Sequence, residues 1–214
     1  MRTIYLVIVA TLISWGCVQR SESLTGPRKG KADEEPYASY ASGFRVEKQG
    51  GYSVLEVTDP WQQSRNITFT YVIGADEEGC PLSLREFPFI KTPVKRVIAL
   101  STTHVAMIEH LDCAESIVGL SGAEFIYSSF LRERIESGKV EDVGYGQGLD
   151  FERIVGLDPD VLFLYGVEGQ VVSTLEKLTD LGIPAVFCGE YLEAHPLGKA
   201  EWIRFFSHFF DREE

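Results

Sequence analysis

The sequence predicts an α/β fold, a mainly parallel sheet wrapped by helices, preceded by a small β-rich appendage. From residue 94 onward, short apolar runs alternate with segments whose apolar residues recur at helical spacing. These runs are apolar on consecutive positions, which is typical of strands covered by helices on both faces. An alternation of apolar and polar residues, the pattern of a half-exposed sheet, occurs only earlier in the chain, over residues 41–90.

The strands and helices of the main unit can be placed in order along residues 94–214. Thr102 or Thr103 is expected to cap the first helix and Asp150 the third, and Gly182 stands where the fourth helix should end. We expect strands at 94–100, 116–120, 140–143, 160–165 and 184–188, and helices at 103–111, 128–136, 151–157, 169–181 and 198–210.

The appendage over residues 41–90 shows a hairpin signal. Residues 44–47 and 52–57 alternate between apolar and polar side chains, and a glycine pair lies between them. A third strand is expected over 66–73, so this region predicts a small antiparallel sheet.

Charge counts against a nucleic-acid partner, and hydropathy counts against a membrane-spanning helix. The 214-residue chain carries a net formal charge of −12, from 32 acidic and 20 basic side chains. Nucleic-acid binding needs clustered positive charge, so this balance predicts no nucleic-acid partner. No apolar run reaches the ~20 residues that a membrane-spanning helix needs.

The N-terminus has the pattern of a secretory leader. One basic residue precedes an apolar run over residues 4–15, and small residues follow. The leader ends at Cys17 in a motif that resembles the lipobox of bacterial lipoproteins, in which the cysteine is lipidated. Ser14 and Gly16 suit an ordinary signal peptidase equally well, and both interpretations predict cleavage before Cys17.

The segment after the leader favours lipidation. Residues 18–40 are rich in Ser, Gly, Pro, Lys and Glu, the composition of a flexible tether. We therefore expect a signal peptide over 1–16, a lipid-anchor tether over 17–40, and an exported protein of the periplasm or cell envelope. Its partners would include the membrane, through the lipid on Cys17.

Several segments between residue 95 and about residue 190 share a pattern with one known family. The most specific is 149–162, which runs from a helix start through Leu-Asp-Pro-Asp into a buried strand. The others are 96–101, 117–119, 143–144 and 178–186. Together they resemble the N-terminal lobe of the iron-siderophore and cobalamin substrate-binding proteins of ABC importers.

The resemblance implies a function and a larger architecture. Such proteins capture a chelated metal or a corrinoid and deliver it to an ABC permease, so a ferric siderophore or a cobalamin-like molecule is the expected ligand, with no cofactor, no metal ligands and no enzymatic activity. Their fold is two α/β lobes joined by one long helix. A second series of strands and helices does not follow Glu190, so we expect either a truncated chain or one lobe that awaits a partner.

The last helix leaves two alternatives open. It carries the aromatic side chains Trp202, Phe205, Phe206, Phe209 and Phe210. So many rings on a terminal helix indicate a partner surface. The alternative is that they pack onto the sheet of their own chain.

The carboxyl ends of the strands predict the ligand face, because ligands of open parallel sheets bind there. These ends are rich in glycine, tyrosine and hydroxyl side chains. The ligand-binding candidates are Ser101, Thr102, Thr103, His104, Tyr145, Gln147, Tyr165, Glu190 and Tyr191.

For Tyr145 and His104, the sequence gives both a specific reason to expect ligand binding and a simpler structural interpretation. Glycines beside Tyr145 let the backbone approach a flat ligand, which would stack on the tyrosine ring, although a plain glycine turn explains the same residues. His104 lies at a helix start, where an anionic ligand group or a metal centre would be in reach; a capping or solvent-exposed histidine is the simpler interpretation.

Glu152 is the candidate for docking to the permease. By the pattern of the family this glutamate pairs with an arginine of the permease, and a charge at the edge of a lobe steers association. The alternative is a surface glutamate beside Arg153.

Two other functions stay open as alternatives. One is a surface module that binds another protein through residues 41–90. The other is an enzyme on a doubly wound sheet, for which the chain offers neither a G-x-S-x-G nor a P-loop motif, and only Asp142 and Asp150 as a carboxylate pair. Of the remaining cysteines, Cys113 and Cys188 are expected in the core, with a disulfide possible.

Overall fold

A computed structural model describes residues 38, 40–167 and 170–213. The predicted signal peptide and Cys17 lie outside the described residues. In the described part of the chain, no helix is long and apolar enough to cross a membrane.

The first sheet forms as predicted, with one strand more. The predicted hairpin turns at Gly50 and Gly51, which both have positive φ, a conformation that glycine adopts without strain. The sheet is antiparallel except that its last strand runs parallel to the third. Its strands are β1 (Phe44–Gln49), β2 (Tyr52–Thr58), β3 (Thr68–Gly74) and β4 (Phe89–Lys91), in that spatial order.

The second sheet has five strands, all parallel, and helices wrap it, so the predicted α/β fold class is confirmed. Its strands are β5 (Val97–Ala99), β6 (Ile117–Leu120), β7 (Glu141–Asp142), β8 (Val161–Leu164) and β9 (Ala185–Phe187). The helices are α1 (Thr102–His110), α2 (Ser129–Glu136), α3 (Phe151–Leu157), α4 (Gln170–Asp180) and α5 (Pro196–Ser207).

The spatial order of this sheet, β7-β6-β5-β8-β9, creates a crevice. The chain runs outward from β5 through β6 to β7 and then returns to the other side of β5 for β8 and β9. The loops after β5 and β8 therefore leave the sheet in opposite directions and open a gap between them. The described strands thus place a crevice on the edge where the sequence predicts the ligand face.

The helix caps agree with the sequence with one correction. Asp150 caps α3 by accepting a hydrogen bond from the backbone N of Arg153 at 3.0 Å, as predicted. The prediction of Thr102 or Thr103 as the cap of α1 was wrong. Ser101, in an extended conformation, accepts from the backbone N of Thr103 at 3.2 Å, so the helix starts one residue before the predicted start.

The aromatic residues of the last helix are buried within the chain itself. Trp202, Phe205 and Phe206 are fully buried. The ring of Phe205 lies 5.5 Å from that of Phe44 in β1, and the ring of Phe206 lies 4.7 Å from that of Phe163 in β8. The stripe therefore packs between the two sheets, and the alternative of a free aromatic surface on this helix is wrong.

One hydrophobic core therefore serves both sheets. Leu55 and Tyr71 of the first sheet belong to the same buried cluster as Ile98 and Phe163 of the second. The β-rich segment was expected to be an appendage to the larger unit, but its inner face is part of the main core. The reason is that α5 presents rings to both sheets at once.

Two carboxylates attach the segment before β1 to the region of α5. Glu193, which is buried, accepts hydrogen bonds from the backbone N of Gly43 at 2.8 Å and from the indole N of Trp202 at 3.0 Å. Glu201 accepts from the backbone N of Tyr40 at 2.7 Å. Ionised acceptors make strong hydrogen bonds, so the chain enters the fold at a fixed place.

The three cysteines that the structure describes are not bonded to one another. Cys188 is buried in the main core and Cys113 is partly buried against it, as expected. Cys80 lies in a smaller cluster on the outer face of the first sheet with Val54, Val72 and Leu84. Burial raises the pKa of the Cys188 thiol well above its ordinary value, so this thiol is unreactive.

Replacing Phe205 by alanine tests the shared core. We expect Phe205→Ala to lower the free energy of unfolding by about 3–5 kcal/mol, because it removes a fully buried ring that packs on Phe44 of the first sheet and on Phe206, which contacts the second sheet. Leu197→Ala on the exposed side of the same helix is the control and should change the free energy by less than about 0.5 kcal/mol. Urea unfolding measures both, and equal small effects would contradict the packing described.

Candidate functional site

A pocket of about 660 Å³ opens at the carboxyl edge of the parallel sheet. Its walls come from the loops that follow β5, β6, β7 and β8, and from one face of α4. Pockets that hold drug-sized ligands have volumes of ~300–1,000 Å³ and are mostly apolar with a few polar groups. The apolar lining residues include Leu100, Leu149, Phe151, Leu164 and Val171, and the polar ones include Ser121, Gln147, Ser173, Thr174 and Lys177.

The loop after β7 brings Tyr145 and Gln147 to the pocket. Gly144 begins it with φ of +74°, and its backbone N donates to Asp142 Oδ1 at 2.8 Å. The hydroxyl of Ser121 donates to the carbonyl oxygen of Gly144, so the loop is also tied to the end of β6. The phenol ring of Tyr145 is 73% exposed, and a flat ligand would find one face of it open.

The loop after β8 forms the opposite wall, with Tyr165 at its start. Gly166 is buried and pairs with Trp61 in an isolated parallel bridge, which links this wall to the first sheet's connecting segment. The Tyr191 hydroxyl donates to the carbonyl oxygen of Gly166. The rings of Tyr165 and Tyr191 lie 6.1 Å apart and nearly perpendicular, so Tyr191 supports the wall from behind.

Lys177 supplies the charge of the pocket. Among the described residues that line it, Lys177 alone is formally charged. Its ammonium group lies 3.7 Å from the centre of the Phe151 ring, a cation–π contact that holds the long side chain at the pocket. The sequence pattern did not single out this residue. No periodic signal marks it, because Lys177 is an exposed residue of α4 that reaches the pocket through its contact with Phe151.

His104 and Glu190 meet beneath the pocket wall. Both side chains are buried, and His104 Nε2 lies 3.3 Å from Glu190 Oε1. Burial alone raises the pKa of Glu190, but the facing His104, with a smaller contribution from Lys199, outweighs it and holds the pKa below its ordinary value. Glu190 is therefore a buried carboxylate that keeps its charge because of its surroundings.

The structure brings together only part of the predicted site. Tyr145, Gln147 and Tyr165 line the pocket. Tyr191 lies behind the wall, and Glu152 is exposed in the first turn of α3. The remaining candidates, Ser101, Thr102, Thr103, His104 and Glu190, are not among the lining residues.

Two interpretations of single residues need correction. The expectation that His104 is a capping or solvent-exposed histidine was wrong, because its side chain is fully buried and Ser101 caps the helix. Glu190, expected at the open ligand face, is only 3% exposed. Both residues follow strand ends as predicted, but α5 and the turn after β9 cover them.

The carboxylate pair considered for an enzyme has structural roles. Both oxygens of Asp142 accept backbone hydrogen bonds, from Gly144 and from Ala123, each at 2.8 Å. Asp150 caps α3 and lies 3.5 Å from the guanidinium of Arg153. Within the described ranges, no group of three or more His, Cys, Asp or Glu side chains is placed to hold a metal ion.

Comparisons with curated proteins support the resemblance seen in the sequence. No protein-family model matches the chain. An uncharacterized lipoprotein of Methanocaldococcus jannaschii is 32% identical over 134 residues, which are 59% of this chain and 32% of that protein. A vitamin B12-binding protein of Vibrio parahaemolyticus is 30% identical over 107 residues, which are 50% of this chain and 36% of that protein.

Solved structures also align with part of the chain. The petrobactin-binding protein of Bacillus subtilis aligns with a TM-score of 0.44 and 18% identity, over 56% of this chain and 40% of its own. The predicted resemblance to substrate-binding proteins is confirmed over about half of the chain by the match to the vitamin B12-binding protein. The chain spans only about a third of the length of the two curated relatives described above.

Replacing Gly144 by alanine tests the geometry of the Tyr145 loop. A Cβ there would lie 2.3 Å from the carbonyl oxygen of Gly148, at a positive φ that L-residues avoid. We expect Gly144→Ala to lower the free energy of unfolding by at least ~1–2 kcal/mol. Gly148→Ala is the matched control, because its Cβ would meet no atom within 4 Å. Equal effects of the two substitutions in urea unfolding would contradict the loop described.

Proposed function

We propose that this chain is the ligand-binding part of a substrate-binding lipoprotein of an ABC importer, which captures a ferric siderophore or a cobalamin-like ligand and delivers it to the permease. The observation that carries the proposal is the pocket at the carboxyl edge of the parallel sheet, where Tyr145, Gln147 and Tyr165 meet. The curated relative named for vitamin B12 binding supports it, since the similarity covers half of the chain. In this proposal residues 94–214 are one lobe of a two-lobed protein.

The chemistry of the pocket suits a large ligand with an apolar face. The floor is made of aliphatic side chains and Phe151, which favour apolar surface. Tyr145 and Tyr165 offer aromatic rings, and rings of a ligand stack favourably on them. Gln147 and Ser121 supply hydrogen-bonding groups that would orient the ligand.

Lys177 adds a preference for an anionic group on the ligand. It is the single charge among the described lining residues, and an ammonium group pairs with carboxylate or phenolate oxygens. The chain as a whole is acidic, with a net charge of −12. A basic group at the pocket therefore gives an anionic ligand a local attraction on a protein whose overall charge would repel it.

The remaining predicted residues have roles around the pocket in this proposal. Glu152 is exposed on α3 and would steer docking to the permease. Thr102 and Thr103, exposed at the start of α1, would contact the outer part of a bulky ligand, with Ser101 behind them. Cys17, outside the described residues, would carry the lipid that holds the protein at the membrane of the envelope.

The first test of the proposal is ligand titration. Calorimetric titration of the complete protein, with any second lobe included, against cyanocobalamin, haemin and a set of ferric siderophores should identify at least one ligand with micromolar or tighter affinity. Tyr145→Ala should weaken that affinity about tenfold, because stacking of a flat ring on an exposed aromatic side chain contributes ~1–3 kcal/mol. Absence of binding across the whole panel would overturn the proposal.

A matched control separates loss of stacking from loss of an exposed tyrosine in general. Tyr127 is 87% exposed and does not line the pocket. Tyr127→Ala should therefore leave the affinity within about twofold of the original. An equal loss in both variants would contradict the assignment of Tyr145 to the ligand.

Lys177→Gln tests the preference for charge. Haemin carries two carboxylates, and its dimethyl ester is the neutral form of the same ring. We expect Lys177→Gln to weaken haemin about threefold to tenfold and to leave the ester unchanged, because a partly exposed ion pair contributes ~0.2–1 kcal/mol and somewhat more in a pocket. Lys139→Gln, an exposed lysine outside the pocket, is the control. An equal effect on both forms would contradict charge recognition.

A further inference from the structure

A buried ionisable pair lies directly behind the pocket. His104 is fully buried and Glu190 is 3% exposed, and their closest atoms are 3.3 Å apart. Among the described residues, His104 Nδ1, His104 Nε2 and Glu190 Oε2 have no hydrogen-bond partner, so the contact between His104 and Glu190 is a close approach of two ionisable groups rather than a hydrogen bond. Burying ionisable groups without full hydrogen bonding costs free energy, and apolar residues of similar size would often be as stable. Stability alone therefore does not explain why a histidine and a glutamate lie at these positions.

The pair is connected to the pocket wall on two sides, directly through His104 and indirectly through Tyr191, the residue that follows Glu190. The ring of His104 lies 6.2 Å from that of Tyr165, with the two planes nearly perpendicular. Glu190 is followed directly by Tyr191, whose hydroxyl donates to the carbonyl oxygen of Gly166. The pair thus joins the start of α1 to the turn after β9, and the wall formed by Tyr165 and Gly166 lies between these two attachments.

We infer that His104 and Glu190 are a positioning pair, which holds the Tyr165–Gly166 wall in its place through their mutual attraction. Neither residue contacts the pocket interior, so their effect on a ligand would pass through Tyr165 and Tyr191. The expected effect of the pair on ligand affinity rests on the proposed function, whereas its effect on the position of the wall does not.

The charges around the pair determine the direction of its pH dependence. Lys199 acts on Glu190 from α5, and its ammonium group donates to the carbonyl oxygen of Tyr191 at 2.7 Å. Burial raises the pKa values of Tyr191 and Cys188, which are therefore neutral near pH 7. Because the pKa of Glu190 is below its ordinary value of ~4.3, its contribution is complete above that value and is lost as the pH falls through the lower, folded-state value. The wall should loosen in acid.

Hydrogen exchange of the ligand-free, full-length protein tests this directly. The measured quantity is a ratio: the exchange rate of amides in residues 161–167 and 190–192, divided by the exchange rate of amides in β2 and β3 at the same pH. Taking this ratio removes the intrinsic pH dependence of amide exchange. We expect this ratio to rise at least threefold between pH 6 and pH 3. Glu190→Gln should show the raised ratio already at pH 6 and little further change in acid.

Two further variants serve as controls for the exchange experiment. Glu193→Gln also replaces a buried carboxylate, and it should raise exchange at residues 42 and 43 but leave the wall as in the original protein. The double variant His104→Leu, Glu190→Leu removes both buried ionisable groups. Its exchange ratio should therefore not depend on pH. The inference is overturned if Glu190→Gln leaves the wall unchanged, or if the double leucine variant keeps the acid response. A positive exchange result with no ligand found in titration would overturn the proposed function alone.

Discussion

The packing of α5 between the two sheets is the constraint on which the rest of the structure depends. Its rings contact Phe44 on one side and Phe163 on the other, so one helix fills the space that would otherwise divide the chain into two units. Aromatic side chains bury a large area each, and their removal from water is the main driving force available here. Glu193 then ties the chain segment before β1 to Trp202 in this helix.

This arrangement also decides what the carboxyl edge of the parallel sheet can do. With α5 against the core, Phe206 and the turn that begins at Glu190 cover His104, and the pocket opens at the tips of β5, β6, β7 and β8. Backbone hydrogen bonds to Asp142 and Ser121 fix the loop that carries Tyr145. The loops after β7 and β8 are therefore each held by hydrogen bonds to neighbouring elements, which favours a preformed pocket.

The polar groups near the pocket divide by burial into two kinds. Those at the surface of the pocket, such as Lys177 and Gln147, are available to a ligand. Those behind it, His104 and Glu190, act through the side chains in front of them. A sequence pattern that counts residues after a strand cannot separate the two kinds, because both occur at the same distance from a strand end, and only the path of a distant helix decides which are covered.

The sequence by itself determined the fold class, the hairpin, the order of the βα units and the caps at Asp150 and Gly182, because local periodicity and backbone preference carry that information. It also predicted that Tyr145, Gln147 and Tyr165 lie at the carboxyl edge of the parallel sheet, where they line the pocket. Tertiary structure alone decided that the two sheets share a core, that His104 is buried, and that Lys177 faces the pocket. These three facts depend on contacts between residues far apart in the chain, and such contacts leave no periodic signal in the sequence.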